Sequence, residues 1–222
     1  MYAIMRCAKL TSFGMAARSL RHCYREQETP NADPAKAGDN AHHGARSTDE
    51  AMGALRGMLP AKRRKDAVLA VEYLMTASPD WWKQASADQQ ATFFERARVW
   101  LADKYGADRV IAATEHHDET SPHLSAYVVP ITADGRLAAK EFIGGRAKLS
   151  RDQTTFAEAV ADLGLQRGVE GSKAKHQSIR TYYALSEAGN AATASEIALT
   201  AKDVTKQATK TSWLGSEYES AD

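Results

Sequence analysis

The chain has 222 residues, a mass of 24.2 kDa and a formal net charge of +1, with 43% hydrophobic and 26% charged residues. This composition is typical of a globular protein with one sizeable core, and the absence of any run of about 18 apolar residues excludes a membrane-spanning helix. Because the N-terminus shows no signal-peptide pattern and two cysteines give no disulfide framework, we expect a cytoplasmic protein.

Hydrophobic periodicity in the first half of the chain predicts alternating strands and helices. Ser47, with Glu50 three residues later, is typical of a helix N-terminus, and Gly106 is typical of a helix end. The predicted elements are a strand over residues 2–10, a helix over 13–26, a long loop over 27–47, a helix from 47, a strand over 67–77 and one or two helices over 78–106.

The second half begins with two strands, "DRVIAATEHHD" and "PHLSAYVVPI", which a short polar turn joins into a β-hairpin. "AAKEFIG" predicts an edge strand or a short helix, and "SRDQTTFAEAVADLG" predicts a helix that begins at Ser150 and ends at Gly164. The predicted fold is therefore α+β, a central and largely antiparallel sheet flanked by helices. We expect one domain over residues 1–185, and a helical extension over 186–222 that begins a truncated C-terminal region.

The turn between these strands carries an unusual density of polar residues, "HHDETSPHLS", residues 116–125. Since alternate strand residues share a face, His123, Ser125 and Tyr127 point the same way, and the hairpin places His116 across from His123. Two imidazoles this close predict a divalent-metal site, and Glu119 in the turn can reach over the same face. A polar hairpin with solvated histidines is the alternative.

The same residues carry a resemblance to a known family. "HHDETSPHLSAYVVP" resembles the signature HxDExxPHxH of the MobV, or Pre/Mob, plasmid mobilization relaxases, which belong to the HUH endonucleases. "SLRHCYRE", residues 19–26, resembles the family's first motif and aligns its nucleophilic histidine with His22. "DNAHHGARS" is similar, more loosely, to the second motif, whose histidine would be His42. The resemblance covers residues 1 to about 185 and implies an HUH relaxase-like sheet.

This resemblance implies an enzyme that nicks one DNA strand at a plasmid origin of transfer and stays attached through a histidine phosphoramidate. His116 and His123 would bind the divalent metal, Mn²⁺ or Mg²⁺. Glu119 would hold the ring proton of His22. Arg25 shares a helix face with His22 and would donate to a phosphate. Tyr24 is the alternative nucleophile.

One position departs from the family pattern, because Ser125 stands where the second histidine of the His-hydrophobic-His motif belongs. A hydroxyl is a poor ligand beside imidazole, so Ser125 would act weakly or through a water. Glu72, in an apolar strand, and His42 or His43, on the long loop, are candidates to complete the metal site.

Residues 1–65 hold twelve Lys or Arg against six Asp or Glu, and much of this surplus is "KRRK", residues 62–65. Such a basic cluster is most often a solvated face, and a phosphate-contacting surface is the sharper alternative. The expected partner is origin DNA, a hairpin plus a single strand, together with the conjugative coupling machinery and without membrane insertion. The candidate DNA-binding residues are Lys62, Arg63, Arg64, Lys65, Arg146, Lys148 and Arg151.

Two other classes of function stay open at the level of the sequence. "HLSA" also resembles the His-hydrophobic-Ser element of two-histidine phosphoesterases, although those enzymes need two such elements and the chain shows one. A DNA-binding regulator without chemistry is the second alternative.

Overall fold

A computed structural model describes residues 1–170 and two strands near the C-terminus, 207–212 and 215–219. Within residues 1–170 it contains one six-stranded sheet. The strands are β1 (Tyr2–Leu10), β2 (Ala41–Gly44), β3 (Ala70–Ala77), β4 (Val110–His116), β5 (His123–Val128) and β6 (Gln166–Arg167). Their order is β2-β4-β5-β3-β1-β6, and all neighbours are antiparallel except β1 and β6. The predicted α+β class with a largely antiparallel sheet is confirmed.

Helices cover both faces of this sheet. They are α1 (Phe13–Cys23), α2 (Thr48–Met58), α3 (Pro79–Gln84), α4 (Ala87–Tyr105), α5 (Ala139–Ile143) and α6 (Gly145–Ala159). Short 3₁₀ helices lie at Pro34–Asp39, Ala107–Arg109 and Ala161–Leu163. One core cluster joins the sheet to α1 and α2, and a second joins the opposite face to α3, α4, α5 and α6. The domain is thus a three-layer arrangement.

Strand alternation decides which side chains share the α1 side of the sheet. In β5, Leu124 and Ala126 belong to the core under α4 and α6, while Tyr127 belongs to the core under α1 and α2. His123 and Ser125 lie on the same face as Tyr127. The polar residues of the hairpin therefore face the layer that contains α1.

Serine caps begin three of the helices, and the cap at Ser47 is the one that the sequence predicts. The side chains of Ser12, Ser47 and Ser86 each accept a hydrogen bond from a backbone N–H in the first helical turn. Such a cap typically stabilises a helix by about 1 kcal/mol. At the other end, α4 stops at Gly106, whose φ of 95° is a conformation that residues with a Cβ rarely adopt.

Two local predictions are wrong. The long loop over residues 27–47 contains the edge strand β2, because Ala41–Gly44 supplies backbone partners to β4. Helix α6 begins at Gly145 rather than at Ser150, so Ser150 lies inside the helix and its hydroxyl donates to Glu170 instead of capping.

Residues 171–222 form a separate unit, of which only β7 (Gln207–Ser212) and β8 (Gly215–Glu219) are described. These two strands pair antiparallel, so the helix expected over 186–222 is wrong for them. The β-branched Thr209 and Thr211 favour strand over helix. The rest of the expected extension lies outside the described residues. No helix in the described part of the chain has the length and apolarity needed to cross a membrane.

Candidate active site

The centre of the site is a pair of buried histidines on neighbouring strands. His116 ends β4 and His123 begins β5, and the two are direct partners across the antiparallel pair. Their ring centroids are 4.9 Å apart, and the residues are only 1% and 8% exposed. The predicted juxtaposition across the hairpin is confirmed.

Hydrogen bonds set the tautomers of these two rings. His123 Nδ1 lies 3.0 Å from the carbonyl oxygen of Ser121, which can only accept, so Nδ1 carries the proton and Nε2 has a free lone pair. His116 Nδ1 lies 3.0 Å from Arg25 Nη2, which can only donate. In this arrangement the proton of neutral His116 is therefore on Nε2.

Both imidazoles are held neutral by their surroundings. Burial lowers the pKa of His116 and of His123, because a charged ring would lose its hydration. The neighbouring His123 and Arg25 lower the pKa of His116 further, since each would repel an imidazolium. Neutral imidazole is the form that binds a metal ion.

Arg25 connects the end of α1 to the turn after β4. It directly follows Tyr24, the C-cap residue of α1. The φ of Arg25 is 57°, a left-handed conformation that costs a residue with a Cβ about 1–2 kcal/mol. Its Nε and Nη2 donate to the Asp118 carboxylate at 2.7 and 2.6 Å, and Nη2 also donates to Glu119 Oε1 at 2.8 Å.

This geometry corrects the expectation for Arg25, which does not continue the helix beside His22. Its guanidinium points to two carboxylates, and its Nη1 donates to the carbonyl oxygen of His22 at 3.0 Å. Although burial alone would raise the pKa of Asp118, the hydrogen bond from Arg25 lowers it, so the carboxylate is ionised at neutral pH.

His22 is the last but one residue of α1, and its side chain is exposed. Its Nδ1 lies 3.5 Å from the Thr29 hydroxyl. The expectation that Glu119 holds the proton of His22 does not match this arrangement. Glu119 instead accepts from Arg25 through Oε1 and from Asn31 Nδ2 through Oε2, the latter at 2.6 Å.

Tyr24, the alternative nucleophile, has its hydroxyl turned away from the histidine pair. The phenol donates to the carbonyl oxygen of Ala45 at 2.6 Å. Burial raises the pKa of Tyr24, so the phenolate needed for attack is disfavoured. Both observations favour His22 over Tyr24.

Ser125 has Thr114 on one side and Leu74 on the other as its strand partners. Neither residue offers an imidazole or a carboxylate. Within the part of the chain that the structure describes, no three or more His, Cys, Asp or Glu side chains form a group that could hold a metal ion by itself. The histidine pair is therefore a candidate metal site that offers two imidazoles.

The structure gives Glu72 and His42 other partners. Glu72 accepts a hydrogen bond from the Tyr127 hydroxyl at 3.3 Å. His42 lies on β2 opposite Thr114, with 3.0 Å between its Nδ1 and the Thr114 hydroxyl, and its ring packs against Tyr24. Glu72 and His42 therefore lie on the face of the sheet that carries the histidine pair. His43 points to the opposite face, where its Nε2 lies 2.7 Å from Glu115.

A groove of about 570 Å³ lies along α1 and includes His22 in its lining. It is lined by Leu10, Ser12, Gly14, Met15, Arg18, Ser19, His22 and Gln27. Since residues three and four apart share a helix face, Met15, Arg18 and His22 form one continuous wall. The exposed His22 side chain thus borders this groove.

The predicted DNA-binding residues fall into two groups on different sides of the sheet. Lys62, Arg63, Arg64 and Lys65 are exposed between α2 and β3, and the Arg63 guanidinium lies 5.9 Å from the Phe13 ring at the start of α1. Arg146, Lys148 and Arg151 are exposed on α6, which packs on the opposite face from α1. The structure therefore does not bring the α6 group to the face that carries His22.

Sequence reasoning missed three residues of the site: Asp118, which orients Arg25, and Thr29 and Asn31 on the long loop. Asp118 lies inside "HHDETSPHLS", and an acidic residue next to Glu119 could have indicated a second partner for Arg25. Nothing in the spacing of Thr29 and Asn31 indicates their positions, because both depend on how the loop folds back onto the turn.

Comparisons with known proteins agree on one group of relatives. Residues 1–184 match the sequence profile of the family Mob_Pre, described as plasmid recombination enzyme. The "65 kDa protein" of Zymomonas mobilis is 34% identical over 190 residues, which are 82% of this chain and 32% of that protein. Plasmid recombination enzyme type 3 of Staphylococcus aureus is 39% identical over 125 residues, 54% of this chain and 30% of the enzyme. The chain thus spans about a third of the length of these curated relatives.

Solved structures with the same fold carry DNA and metal. The MobM relaxase domain bound to plasmid pMV158 oriT DNA, a Mn-bound crystal structure at pH 5.5, aligns with a TM-score of 0.75 and 26% identity. The alignment covers 83% of this chain and 100% of that one. A second Mn-bound structure of the same domain, at pH 4.6, gives a TM-score of 0.73 and 27% identity.

Proposed function

The chain belongs to the Mob_Pre family of plasmid recombination enzymes, and from that premise we propose that it is a plasmid mobilization relaxase. It nicks one DNA strand at an origin of transfer and keeps the cut end on a histidine. One observation carries this proposal beyond the family: the exposed His22 side chain lines a groove, and its backbone carbonyl accepts from Arg25, whose guanidinium also contacts the neutral His116–His123 pair.

The donor set fits a divalent metal, and His116 and His123 would hold it. When bound, the metal offsets the negative charge that develops on the non-bridging oxygens of the phosphate. Two imidazoles favour Mn²⁺ over Mg²⁺, because Mg²⁺ prefers oxygen ligands. Ligation through His116 Nε2 would require its proton to move to Nδ1, the nitrogen that lies 3.0 Å from Arg25 Nη2 and 3.7 Å from Asp118 Oδ1.

His22 is the nucleophile in this proposal. A neutral imidazole attacks with a ring lone pair and needs no deprotonation first. The P–N bond forms while the bond from phosphorus to the leaving sugar oxygen breaks, and that oxygen takes a proton from solvent. The resulting phosphoramidate remains reactive, so the released hydroxyl can attack in turn and rejoin the strand.

The partner we propose is origin-of-transfer DNA, a hairpin duplex with a single strand that enters the groove along α1. MobM, the relative with the same fold, is bound to oriT DNA in its crystal structures. Residues 1–185 would form the nicking domain, acting in the cytoplasm and delivering DNA to the conjugative coupling machinery. Residues 186–222 would begin the region that follows it.

A nicking assay tests the function. Supercoiled plasmid that carries the cognate origin is incubated with the protein in Mn²⁺ or in excess EDTA. The proposal requires nicked circles with protein attached in Mn²⁺ and intact supercoils in EDTA. Full activity in EDTA would favour the metal-free two-histidine phosphoesterase, and binding without nicking in either condition would favour the DNA-binding regulator.

A further inference from the structure

We propose that Thr29 is the positioning residue of His22: its hydroxyl oxygen accepts a hydrogen bond from His22 Nδ1–H and thereby leaves the lone pair on Nε2. The inference rests on the proposed function, in which the His22 imidazole attacks phosphorus. It assigns to a threonine on the long loop the role that the sequence suggested for Glu119.

The hydrogen-bond directions around Thr29 are fixed by its neighbours. Its Oγ1 lies 3.3 Å from the carbonyl oxygen of Gln27 and 3.5 Å from His22 Nδ1. A carbonyl can only accept, so the hydroxyl proton of Thr29 goes to Gln27. The lone pairs of the hydroxyl are then left to accept a proton from His22 Nδ1. Catalytic contacts of this length in a free enzyme commonly tighten when substrate binds.

The segment that carries Thr29 is anchored to the turn between β4 and β5. The backbone N–H of Asp33 donates to the Asp118 carbonyl at 2.7 Å, and Asn31 Nδ2 donates to Glu119 Oε2 at 2.6 Å. Ala32 pairs with Glu119 in an isolated β-bridge and donates its N–H to the Thr29 carbonyl at 3.0 Å. The turn that joins the paired histidines therefore also fixes the position of Thr29.

The backbone of His22 is held from the same turn. Arg25 donates to the His22 carbonyl and to both Asp118 and Glu119. With its backbone tied through Arg25 and its Nδ1 tied through Thr29, the ring has one free nitrogen, Nε2. A lone pair on that nitrogen makes it the attacking atom, whereas a proton there would block attack.

The test removes the hydroxyl without changing the shape of the side chain. In Thr29→Val, the single-turnover cleavage rate of an origin oligonucleotide should fall about fivefold, as expected for one neutral hydrogen bond. The Kd for the oligonucleotide should stay unchanged. Thr29→Ser should restore the rate to within about twofold. Thr92→Val is the matched control, because the Thr92 hydroxyl donates to a helix carbonyl on α4, on the opposite face of the sheet.

A second readout reports on the tautomer and does not depend on cleavage. The ¹⁵N shifts of His22 in the free protein should show a protonated Nδ1 and an unprotonated Nε2, and Thr29→Val should increase the Nε2–H population. An unchanged tautomer and rate in Thr29→Val would overturn the proposal. So would a loss of rate in which the tautomer is unchanged and Thr29→Ser fails to rescue, since that pattern describes a structural role. Unimpaired nicking by His22→Ala would instead refute the proposed function.

Discussion

Arg25 donates two hydrogen bonds to the Asp118 carboxylate, from Nε at 2.7 Å and from Nη2 at 2.6 Å. This ion pair connects the end of α1 to the turn that follows β4. Asp118 is only 3% exposed. The pair links the element that carries His22 to the element that carries His116. Its removal should therefore affect both stability and metal affinity.

Asp118→Asn should lower the free energy of unfolding at pH 7 by about 2 kcal/mol, because the Arg25 guanidinium loses a charge-assisted partner but keeps Glu119. Urea denaturation measures this. Asp66→Asn, which breaks the exposed pair with Arg64, is the control and should change little.

The pH dependence of this difference has a defined sign. Because Arg25 lowers the pKa of Asp118, the stabilisation is fully present above the unfolded pKa of about 3.9 and is lost as the pH falls through the folded value. The wild-type and Asp118→Asn proteins should thus converge in stability at strongly acidic pH. A difference that persists there would contradict the ion-pair explanation.

His123→Ala should abolish high-affinity Mn²⁺ binding, since the pair cannot chelate with one imidazole. Calorimetric titration with Mn²⁺ measures the affinity. The matched control is His43→Ala, which removes an imidazole from β2 on the opposite face of the sheet, where it contacts Glu115. Equal loss of Mn²⁺ affinity in both variants would show that the ion binds elsewhere.

Ser125 offers a direct test of the departure from the family pattern. Ser125→His places a third imidazole on the face of β5 that carries His123 and should strengthen Mn²⁺ binding about tenfold or more. Ser125→Ala should leave the affinity within about twofold. Thermal melts of both variants check that the larger ring is accommodated. Weaker Mn²⁺ binding by Ser125→His in a folded protein would mean that the ligands are arranged differently.

The segment between α2 and β3 should contribute phosphate contacts. Arg64 is paired with Asp66, whereas Lys62 and Lys65 are exposed. Replacing both lysines by alanine should reduce the slope of log K against log salt by about 1.8, at about 0.9 per duplex phosphate contact.

Two other cations provide the charge-matched control for the lysine pair. Lys83 and Arg96 lie on α3 and α4, on the opposite face from α1, and each is paired with an aspartate. Their double alanine variant should keep the wild-type slope. The same slope in both double variants would mean that Lys62 and Lys65 make no phosphate contacts and only face solvent.

Much of the fold followed from the sequence because its signals are local. Alternation in β5 places His123 and Ser125 on one face, and the short turn then forces His116 opposite His123. The edge strand β2 was missed because four residues give too little alternation, and its pairing with β4 is a long-range contact. The strands at 207–219 were missed because weakly apolar segments carry no clear period.

The site was predictable where a single motif contains it and not where distant segments meet. The sequence-based expectation paired Glu119 with His22. In the structure, the long loop places Thr29 beside the His22 imidazole and Asn31 beside Glu119. Arg25 was placed on a helix face, but α1 ends at Cys23 and the left-handed φ of Arg25 redirects its side chain. Such outcomes depend on the energies of whole loops, which residue spacing does not encode.

The identity of the covalently modified residue tests the central claim most directly. The protein is incubated with an origin oligonucleotide in Mn²⁺, and the covalent adduct is trapped and digested. Mass spectrometry then identifies the peptide that carries the nucleotide. We predict an acid-labile, base-stable link on His22, no adduct from His22→Ala, and a normal adduct from Tyr24→Phe. An acid-stable adduct on Tyr24, or an adduct that survives in His22→Ala, would contradict it.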